Sequence, residues 1–331
     1  MATSRPPAER YTHGYHAAIV GSYTRRTAEN SAAFLLPHLR PDAVVLDVGC
    51  GPGTITVGLA RRAGRVVGLD MSAEMVESAR SLATREGVGN ATFEIGSAYE
   101  LPFEDVTFDV VYAHQVLQHL ADPVAALTEF RRVLRPGGLV AVRDSDYATM
   151  IHAPVEPAIE RWRDIVHQVQ AANGGEADAG RYLPAWVRRA GFVEPTVTTS
   201  SNTFADPETR AAWGDMWAVR ATESDFADHA TAGGFATRAD LEEISTAFKR
   251  WVAQPDGFWA WLNGEVVAKA PPAQPNPRSA SQLRLTETHH ASPTPGPTES
   301  TLSQPTTPDR DSPRLANPRP NRIHAQPTNN A

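Results

Sequence analysis

Short apolar runs alternate with longer segments of helical periodicity along the first half of the chain. The runs are rich in Val and are bounded by Gly or polar residues, a pattern typical of buried parallel strands. We predict five such strands, at 43–48, 66–70, 91–95, 108–113 and 139–143. Alternation of strands and helices of this kind predicts an α/β fold with a doubly wound sheet.

Capping residues mark where two of the predicted helices begin. Ser72 can accept a hydrogen bond at the N-terminus of a helix that runs to about Glu86. Asp122 followed by Pro123 is typical of an N-cap with proline at the first helical position, and Arg135-Pro-Gly-Gly138 ends that helix. Both helices therefore have boundaries that the sequence itself defines.

The composition changes sharply at residue 271. The 61 residues of 271–331 contain no Phe, Trp or Tyr and hold 13 of the 27 prolines. A segment of this composition cannot bury enough apolar surface to offset the entropy of ordering. We therefore predict that 271–331 is a disordered tail.

Composition and charge exclude several classes of protein. The chain has 331 residues and a formal net charge of −7, which argues against electrostatic attraction to nucleic acid. It contains no run of about 18 apolar residues, the length that a membrane helix requires, and its N-terminal residues lack the apolar core of a secretory signal. With Cys50 as the sole cysteine, we expect no disulfide and a cytoplasmic location; the oligomeric state is left open.

Candidate chemistry lies where the first two predicted strands end. Gly49, Gly51 and Gly53 follow the first strand and would permit a tight turn that a ligand can approach closely. Asp70 ends the second strand, where its carboxylate can accept hydrogen bonds from ribose hydroxyls. In a doubly wound sheet, ligands bind in the crevice at these strand ends. The pattern predicts a ligand that contains a nucleoside.

The loop sequence distinguishes between nucleoside ligands. A dinucleotide fingerprint has the spacing Gly-x-Gly-x-x-Gly, but Thr54 stands where its third glycine is expected. Asp47 would lie unfavourably beside a pyrophosphate and suits a cationic amine instead. S-adenosylmethionine has an amine, a ribose and an adenine without phosphate. It therefore fits these residues better than NAD does.

Two stretches resemble a known family. The first is Val45-Leu-Asp-Val-Gly-Cys-Gly-Pro-Gly-Thr54, which resembles motif I of the class I S-adenosylmethionine-dependent methyltransferases. The second is Val67-Gly-Leu-Asp-Met-Ser-Ala-Glu-Met-Val76, which resembles their second motif. Further matching stretches follow in family order at 95–103, 108–111, 117–120 and 132–138. The most similar branch is the one (type 11) that contains the ubiquinone and menaquinone-biosynthesis C-methyltransferases.

The resemblance implies a seven-stranded, mostly parallel sheet of the Rossmann-like methyltransferase fold. It implies an N-terminal helical cap over 1–40 and a methyltransferase domain over 41–270, whose core is 41–150. A helical insert at about 206–257 would precede the last strand, placed at 262–268 as an antiparallel edge strand. The tryptophans of this region predict either a substrate lid or a separate apolar core. They are Trp213, Trp217, Trp251, Trp259 and Trp261.

The resemblance also assigns cofactor contacts. Asp47 and the loop glycines would hold the methionine part, and Asp70 the ribose. Met71 would pack on an adenine face, with Ser97 and Ala98 along its edge, although the family usually has Asp where this chain has Ser97. His114 would lie near the methionine end of the cofactor. Arg26, in the N-terminal segment, could pair with the cofactor carboxylate, and the alternative is that it lies on a solvated helix face.

The acceptor side is less defined by the sequence. Methyl transfer from a sulfonium needs alignment and a dry site rather than a metal, and we expect no metal. An acceptor that must lose a proton would need a base, and the candidates are His119, Asp146 and His152. We expect in-line methyl transfer to a small-molecule acceptor. The alternatives are a nicotinamide-dependent oxidoreductase and a non-catalytic protein that binds S-adenosylmethionine.

Overall fold

The computed structural model describes residues 25–272. The strands of this range are β1 (Val44–Val48), β2 (Arg65–Asp70), β3 (Ala91–Ile95), β4 (Phe108–His114), β5 (Leu134–Ala153), β6 (Val193–Phe204) and β7 (Phe258–Lys269). The α-helices are α1 (Ala28–Ser31), α2 (Thr54–Ala60), α3 (Ala73–Arg85), α4 (Pro123–Val133), α5 (Pro157–Ala172), α6 (Ala179–Arg189), α7 (Pro207–Glu223), α8 (Asp225–Ala232) and α9 (Arg238–Val252). Short 3₁₀ turns lie at Leu36–His38 and Leu117–His119.

The seven strands form one sheet in the order β3-β2-β1-β4-β5-β7-β6. Neighbours from β3 to β5 are parallel, whereas β7 runs antiparallel to both β5 and β6. From β1 the chain adds β2 and β3 on one side, and then crosses to the other side of β1 to add β4 and β5. Such a switch point opens a crevice at the carboxyl ends of β1 and β4. The predicted doubly wound, mostly parallel sheet of seven strands is confirmed.

The predicted helix starts are confirmed by their hydrogen bonds. The Ser72 hydroxyl accepts from the Met75 amide at 3.3 Å, and the helix that follows ends at Arg85. The Asp122 carboxylate accepts from the Ala125 amide at 3.0 Å, directly before Pro123. Each cap supplies an acceptor to an amide that the helix itself leaves without a partner.

The predicted edge position of the last strand is wrong. Val266 of β7 pairs with Val142 of β5 on one side and with Val197 of β6 on the other. The edge is occupied by β6, whose Thr and Ser residues are mostly exposed. Its polar composition kept β6 from being recognised as a strand. The long buried run of β7 is explained by its position inside the sheet.

The helices cover both faces of the sheet, and a second apolar core lies in the insert. Leu46 packs under one face with α4 and α6, while its neighbour Val45 packs under the other face with α1 and α2. This alternation follows from the period of two along a strand. The insert helices α7–α9 enclose a core that includes Trp162, Trp217 and Trp251.

Two predicted segments lie mainly outside the described residues. Of the predicted cap over 1–40, only 25–40 is described, and it contains α1 and the first 3₁₀ turn. Almost all of the predicted tail over 271–331 lies outside the described range. Among residues 25–272, no helix is both long enough and apolar enough to cross a membrane.

Candidate active site

A cavity of about 1240 Å³ runs across the strand ends at one end of the sheet, from β2 to β6. It crosses five inter-strand spacings, a length of roughly 24 Å at about 4.8 Å per spacing. We call one end the loop half, and its lining includes Asp47, Gly49, Gly51, Asp70, Met71 and Ser97. We call the other end the aromatic half, and its lining includes Tyr147, Phe204, Trp213, Met216, Arg220 and Trp261.

The loop after β1 has the left-handed backbone that its glycines predict. The φ angles of Gly49, Gly51 and Gly53 are 70°, 53° and 83°. A Cβ atom on Gly49 would lie 2.4 Å from a methyl group of Val116, so this glycine is required by packing. A Cβ atom on Gly51 would meet no protein atom within 4 Å. Gly51 therefore borders open space in the cavity, where its backbone can be approached closely.

Asp70 ties the end of β2 to the glycine loop. Its carboxylate accepts from the Gly51 amide at 2.9 Å and from the Ser72 amide at 2.9 Å. Burial raises the pKa of Asp70, and backbone hydrogen bonds from Ser72, Gly51 and Met71 partly offset that rise. A carboxylate has about four lone-pair sites, so Asp70 retains acceptor capacity for hydroxyl groups in the cavity.

Asp47 is buried on β1, beneath the loop. It accepts a hydrogen bond from the Thr56 hydroxyl at 2.6 Å. Burial raises the pKa of Asp47 to about 7, and the nearby charge of Asp70 contributes to the same rise. A cation placed beside Asp47 would favour its ionised form. The loop half thus contains a carboxylate that suits a cationic partner.

Met71, Ser97 and Ala98 line the same end of the cavity. The side chain of Met71 is 72% exposed, an unusual state for a large apolar group and one that a flat apolar ligand would relieve. The Ser97 hydroxyl accepts from the Tyr99 amide at 3.2 Å, which fixes it at the turn after β3. The structure therefore brings the three predicted adenine contacts together.

His114 lies at the end of β4, where its ring is held by Arg143. Nε2 of His114 lies 2.6 Å from an Arg143 nitrogen, and because a guanidinium only donates, Nε2 accepts. The proton of the neutral ring then sits on Nδ1, which has no hydrogen-bond partner among residues 25–272. Burial and the charges of Arg143 and Arg26 hold the pKa of His114 well below its usual value. His114 is thus a neutral donor.

Gln115 is a residue of the site that sequence reasoning missed. Its φ of 54° is left-handed, a strained state for a residue other than glycine. Its side-chain oxygen accepts from the Arg26 guanidinium, and its side-chain Nε2 donates to the Ser145 hydroxyl at 2.7 Å. Gln115 thereby holds Arg26 at the cavity wall. Its place directly after the β4 strand was the one signal available in the sequence.

His119 is the member of the three predicted bases that lines the cavity. Burial lowers the pKa of His119 to about 3, and the positive charges of Arg220 and Arg26 contribute to the same shift. A base works best when its pKa lies near the working pH. His119 is therefore neutral and only weakly basic.

The structure does not bring Asp146 or His152 to the cavity. Asp146 forms a two-point ion pair with Arg181, at 2.6 and 2.5 Å, which occupies both of its oxygens. His152 accepts from the Glu156 amide at 3.1 Å and stacks on Trp259 with 5.2 Å between ring centroids. Their predicted role as bases depended on position after the fifth strand, and these partners were not evident in the sequence.

The fold and the loop half together define a class of protein. A doubly wound sheet with a glycine loop after β1 and an acid at the end of β2 is a Rossmann-like protein that binds a nucleoside-containing ligand. Within that class, a family model described as a methyltransferase domain matches residues 39–190.

Relatives narrow this class to methyltransferases. An uncharacterized methyltransferase of Schizosaccharomyces pombe is 35% identical over 272 residues, 78% of this chain and 96% of the relative. The Aspergillus luteorubrus protein named "Probable methyltransferase ltbC" is 34% identical over 283 residues, 78% of this chain and 96% of the relative. The demethylmenaquinone methyltransferase of Lactiplantibacillus plantarum is 41% identical over 123 residues, 36% of this chain and 52% of the relative.

The fold is also similar to solved structures. The YcgJ protein of Bacillus subtilis matches with a TM-score of 0.50 at 19% identity, covering 74% of this chain and all of the other. The chain belongs to the S-adenosylmethionine-dependent methyltransferase family. It is an enzyme that transfers a methyl group from S-adenosylmethionine, and neither the oxidoreductase nor the non-catalytic alternative is supported.

Proposed function

We propose that this chain methylates a small-molecule acceptor held in the aromatic half of the cavity, with the cofactor in the loop half. The observation that carries the proposal is that one continuous cavity joins the glycine loop to the aromatic residues of β6, β7 and α7. Its volume of about 1240 Å³ exceeds the roughly 300–1,000 Å³ of ordinary single-ligand pockets. The name of the Lactiplantibacillus relative supports a small organic acceptor.

The residues of the loop half fit S-adenosylmethionine. Open space above Gly51 admits the ligand to the backbone, and Asp70 has acceptor capacity for the ribose hydroxyls. Asp47 would face the amino group, and Arg26 the carboxylate. His114 would donate from Nδ1 near the same end of the ligand. Met71, Ser97 and Ala98 would enclose the adenine.

When bound, S-adenosylmethionine supplies a methyl group on a positively charged sulfur, which is already activated for transfer. The chain then has to align the acceptor and exclude water. His119 lines the cavity and would hydrogen-bond an acceptor there, but its low pKa makes it a weak general base. Because Asp146 and His152 lie away from the cavity, we do not assign the role of general base to either residue.

A pair of glycine variants tests the position of the cofactor. Gly51 and Gly87 both have left-handed φ angles, 53° and 65°, and a Cβ atom on either would meet no protein atom within 4 Å. Gly87 lies in an exposed turn after α3, away from the cavity. Gly51→Ala and Gly87→Ala therefore carry similar backbone strain, about 1–2 kcal/mol, but only the first places a methyl group in the cavity.

Calorimetry with S-adenosylhomocysteine gives the readout. We expect Gly51→Ala to weaken binding at least about tenfold, which corresponds to about 1.4 kcal/mol, and Gly87→Ala to bind as the parent does. Release of S-adenosylhomocysteine from S-adenosylmethionine, followed with a panel of small acceptors, identifies the substrate. Unchanged affinity in Gly51→Ala would contradict the assignment of the loop half.

A further inference from the structure

Gln115 directly follows β4, and its backbone has a left-handed φ of 54°. In the part of the chain that the structure describes, the other residues that combine a left-handed φ with a side chain are Val106 and Glu194, at 60° and 50°. Both of these are exposed, whereas Gln115 lines the cavity. Glycine would adopt such a φ without strain. Glycine would therefore be the more stable choice for the backbone, and what Gln115 adds is its side chain.

Both ends of the Gln115 side-chain amide are hydrogen-bonded. Because a guanidinium only donates, the side-chain oxygen is the atom that accepts from Arg26. Nε2 donates to the Ser145 hydroxyl at 2.7 Å, and that hydroxyl donates to Oδ1 of Asn263 at 3.2 Å. The backbone amide of Gln115 donates to the Arg143 carbonyl at 2.7 Å. Gln115 is thus anchored to β5 and, through Ser145, to β7.

Arg26 is held at both ends of its length. Its backbone lies directly before Thr27, the N-cap residue of α1. The Asn30 side chain of that helix donates to the Arg25 carbonyl at 2.9 Å, which fixes the segment, and Gln115 binds the guanidinium at the far end of the side chain. An arginine side chain has large rotamer freedom, and ordering it costs free energy. Here that cost falls on folding rather than on ligand binding.

Gln115 holds Arg26 without carrying a charge. It accepts from one of the five N–H groups of the guanidinium and does not neutralise it. The charge acts on the cavity, since burial and then the neighbouring arginine charges, Arg26 among them, lower the pKa of His114 and of His119. A carboxylate in place of Gln115 would compete with an anionic ligand for the guanidinium. A neutral amide therefore suits a residue that orders a cation for an anion to bind.

We propose that Gln115 is a positioning residue for the cofactor. It orders the Arg26 guanidinium before S-adenosylmethionine binds, so that the cofactor carboxylate meets a cation already in place. The inference rests on the proposed function, in which Arg26 faces that carboxylate. Gln115 acts on the carboxylate only through Arg26. Loss of the Gln115 amide therefore weakens binding of a ligand that carries the carboxylate and leaves binding of a ligand without it unchanged.

Two ligands that differ by one group test the inference on the full chain. They are S-adenosylhomocysteine and its decarboxylated form, S-adenosyl-3-thiopropylamine, each titrated by calorimetry. Gln115→Met keeps a side chain of similar length but removes both of its hydrogen bonds. We expect it to weaken S-adenosylhomocysteine binding about three- to tenfold and to change binding of the decarboxylated ligand less than about twofold. Equal losses for the two ligands, or no loss for either, would overturn the inference.

A double-mutant cycle shows whether Gln115 acts through Arg26. Arg26→Met should weaken S-adenosylhomocysteine binding at least as much as Gln115→Met does. When Arg26→Met is already present, Gln115→Met should have no further effect on affinity, because a positioning residue needs the group that it positions. Losses of affinity that simply add in the double variant would contradict the inference.

Glycine variants separate positioning from backbone strain. Gln115→Gly removes the side chain and relieves the left-handed φ, so it should melt at a higher temperature than Gln115→Met but bind S-adenosylhomocysteine as weakly. Val106→Gly is the matched control, because Val106 has a φ of 60° in an exposed turn outside the cavity lining. It should raise the melting temperature and leave the affinity unchanged. If Gln115→Gly binds as tightly as the parent, the inference is wrong, and this variant decides the question should Gln115→Met not fold.

The set of variants separates this inference from the proposed function. If Arg26→Met binds S-adenosylhomocysteine as the parent does, the assignment of Arg26 to the cofactor carboxylate is wrong, and the role of Gln115 is wrong with it. If Arg26→Met weakens S-adenosylhomocysteine but not the decarboxylated ligand, while Gln115→Met has no effect, the proposed function stands and only the role of Gln115 is wrong.

Discussion

The two halves of the cavity are built in different ways. The loop half comes from the ends of parallel strands and the loops that follow them, so that Asp47, Gly49 and Gly51 are near neighbours in the chain. The aromatic half is assembled from residues far apart in sequence, from Tyr147 on β5 to Trp261 on β7. A loop whose backbone depends on glycine can be recognised in a short stretch of sequence, whereas a pocket assembled from distant side chains cannot.

The boundary between the halves is a buried polar network centred on Arg143. Its guanidinium reaches His114 in the loop half and donates to Asn202 of β6 at 3.2 Å in the aromatic half. Glu265 balances its charge at 3.2 Å. The following variants compare the contribution of this network to stability with the contribution of the loop half to cofactor binding.

The largest effect is expected from Arg143→Met. The substitution leaves Glu265 buried without its partner, and breaking a buried pair in this way costs about 3–5 kcal/mol of unfolding free energy. Arg135→Met is the control, because Arg135 pairs with Asp109 at 2.7 Å but is about half exposed, so its loss should cost at most about 1 kcal/mol. Urea unfolding measures both. Equal costs would show that the boundary is not a stabilising element.

Asp70→Ala comes next and should act mainly on the loop half. Two ribose hydroxyls would lose their acceptor, which should weaken S-adenosylhomocysteine binding by about 1.5–3 kcal/mol. Asp122→Ala removes a carboxylate that also accepts from a backbone amide, but it lies at the start of α4 and outside the cavity lining. It should cost about 1 kcal/mol of stability and leave affinity unchanged. Calorimetry and melting of both variants distinguish the two roles.

The features that could be predicted from the sequence are those that depend on residues close together in the chain. The parallel strands, the caps at Ser72 and Asp122 and the glycine loop were predictable because each depends on neighbours within a few residues. The edge strand β6 was missed because its Thr and Ser residues face solvent. The partners of Asp146 and His152 were missed since Arg181 and Trp259 are remote in the chain.

The third prediction concerns pH and Asp47. Its pKa is about 7 in the folded chain and about 3.9 when unfolded, so the folded state binds the extra proton between those values. Stability therefore falls as pH rises from about 4 to 7, at up to roughly 1.4 kcal/mol per pH unit. The difference between the parent and Asp47→Asn isolates this contribution from other carboxyls.

Urea unfolding at several pH values measures that difference. If Asp47 faces the ligand amino group, S-adenosylhomocysteine should make the fall end at a lower pH, because a cation lowers the folded-state pKa of a neighbouring carboxyl. A difference between the parent and Asp47→Asn that does not vary with pH would contradict the raised pKa. A ligand that leaves the profile unmoved would contradict the proposed contact.

The smallest effect is expected from removal of 271–331. The segment contains no aromatic residue and 13 prolines, a composition that offers little to pack against either half. The last paired residue before it is Ala270, whose amide donates to the Gly138 carbonyl at 2.8 Å. We expect a chain ending at Ala270 to keep its melting temperature and its affinity for S-adenosylhomocysteine. A chain ending at Asn263 is the control, because it loses the part of β7 in which Val266 pairs with Val142, and its melting temperature should drop markedly. If the chain ending at Ala270 melts far below the full chain, then 271–331 packs against the domain and the prediction from composition is wrong.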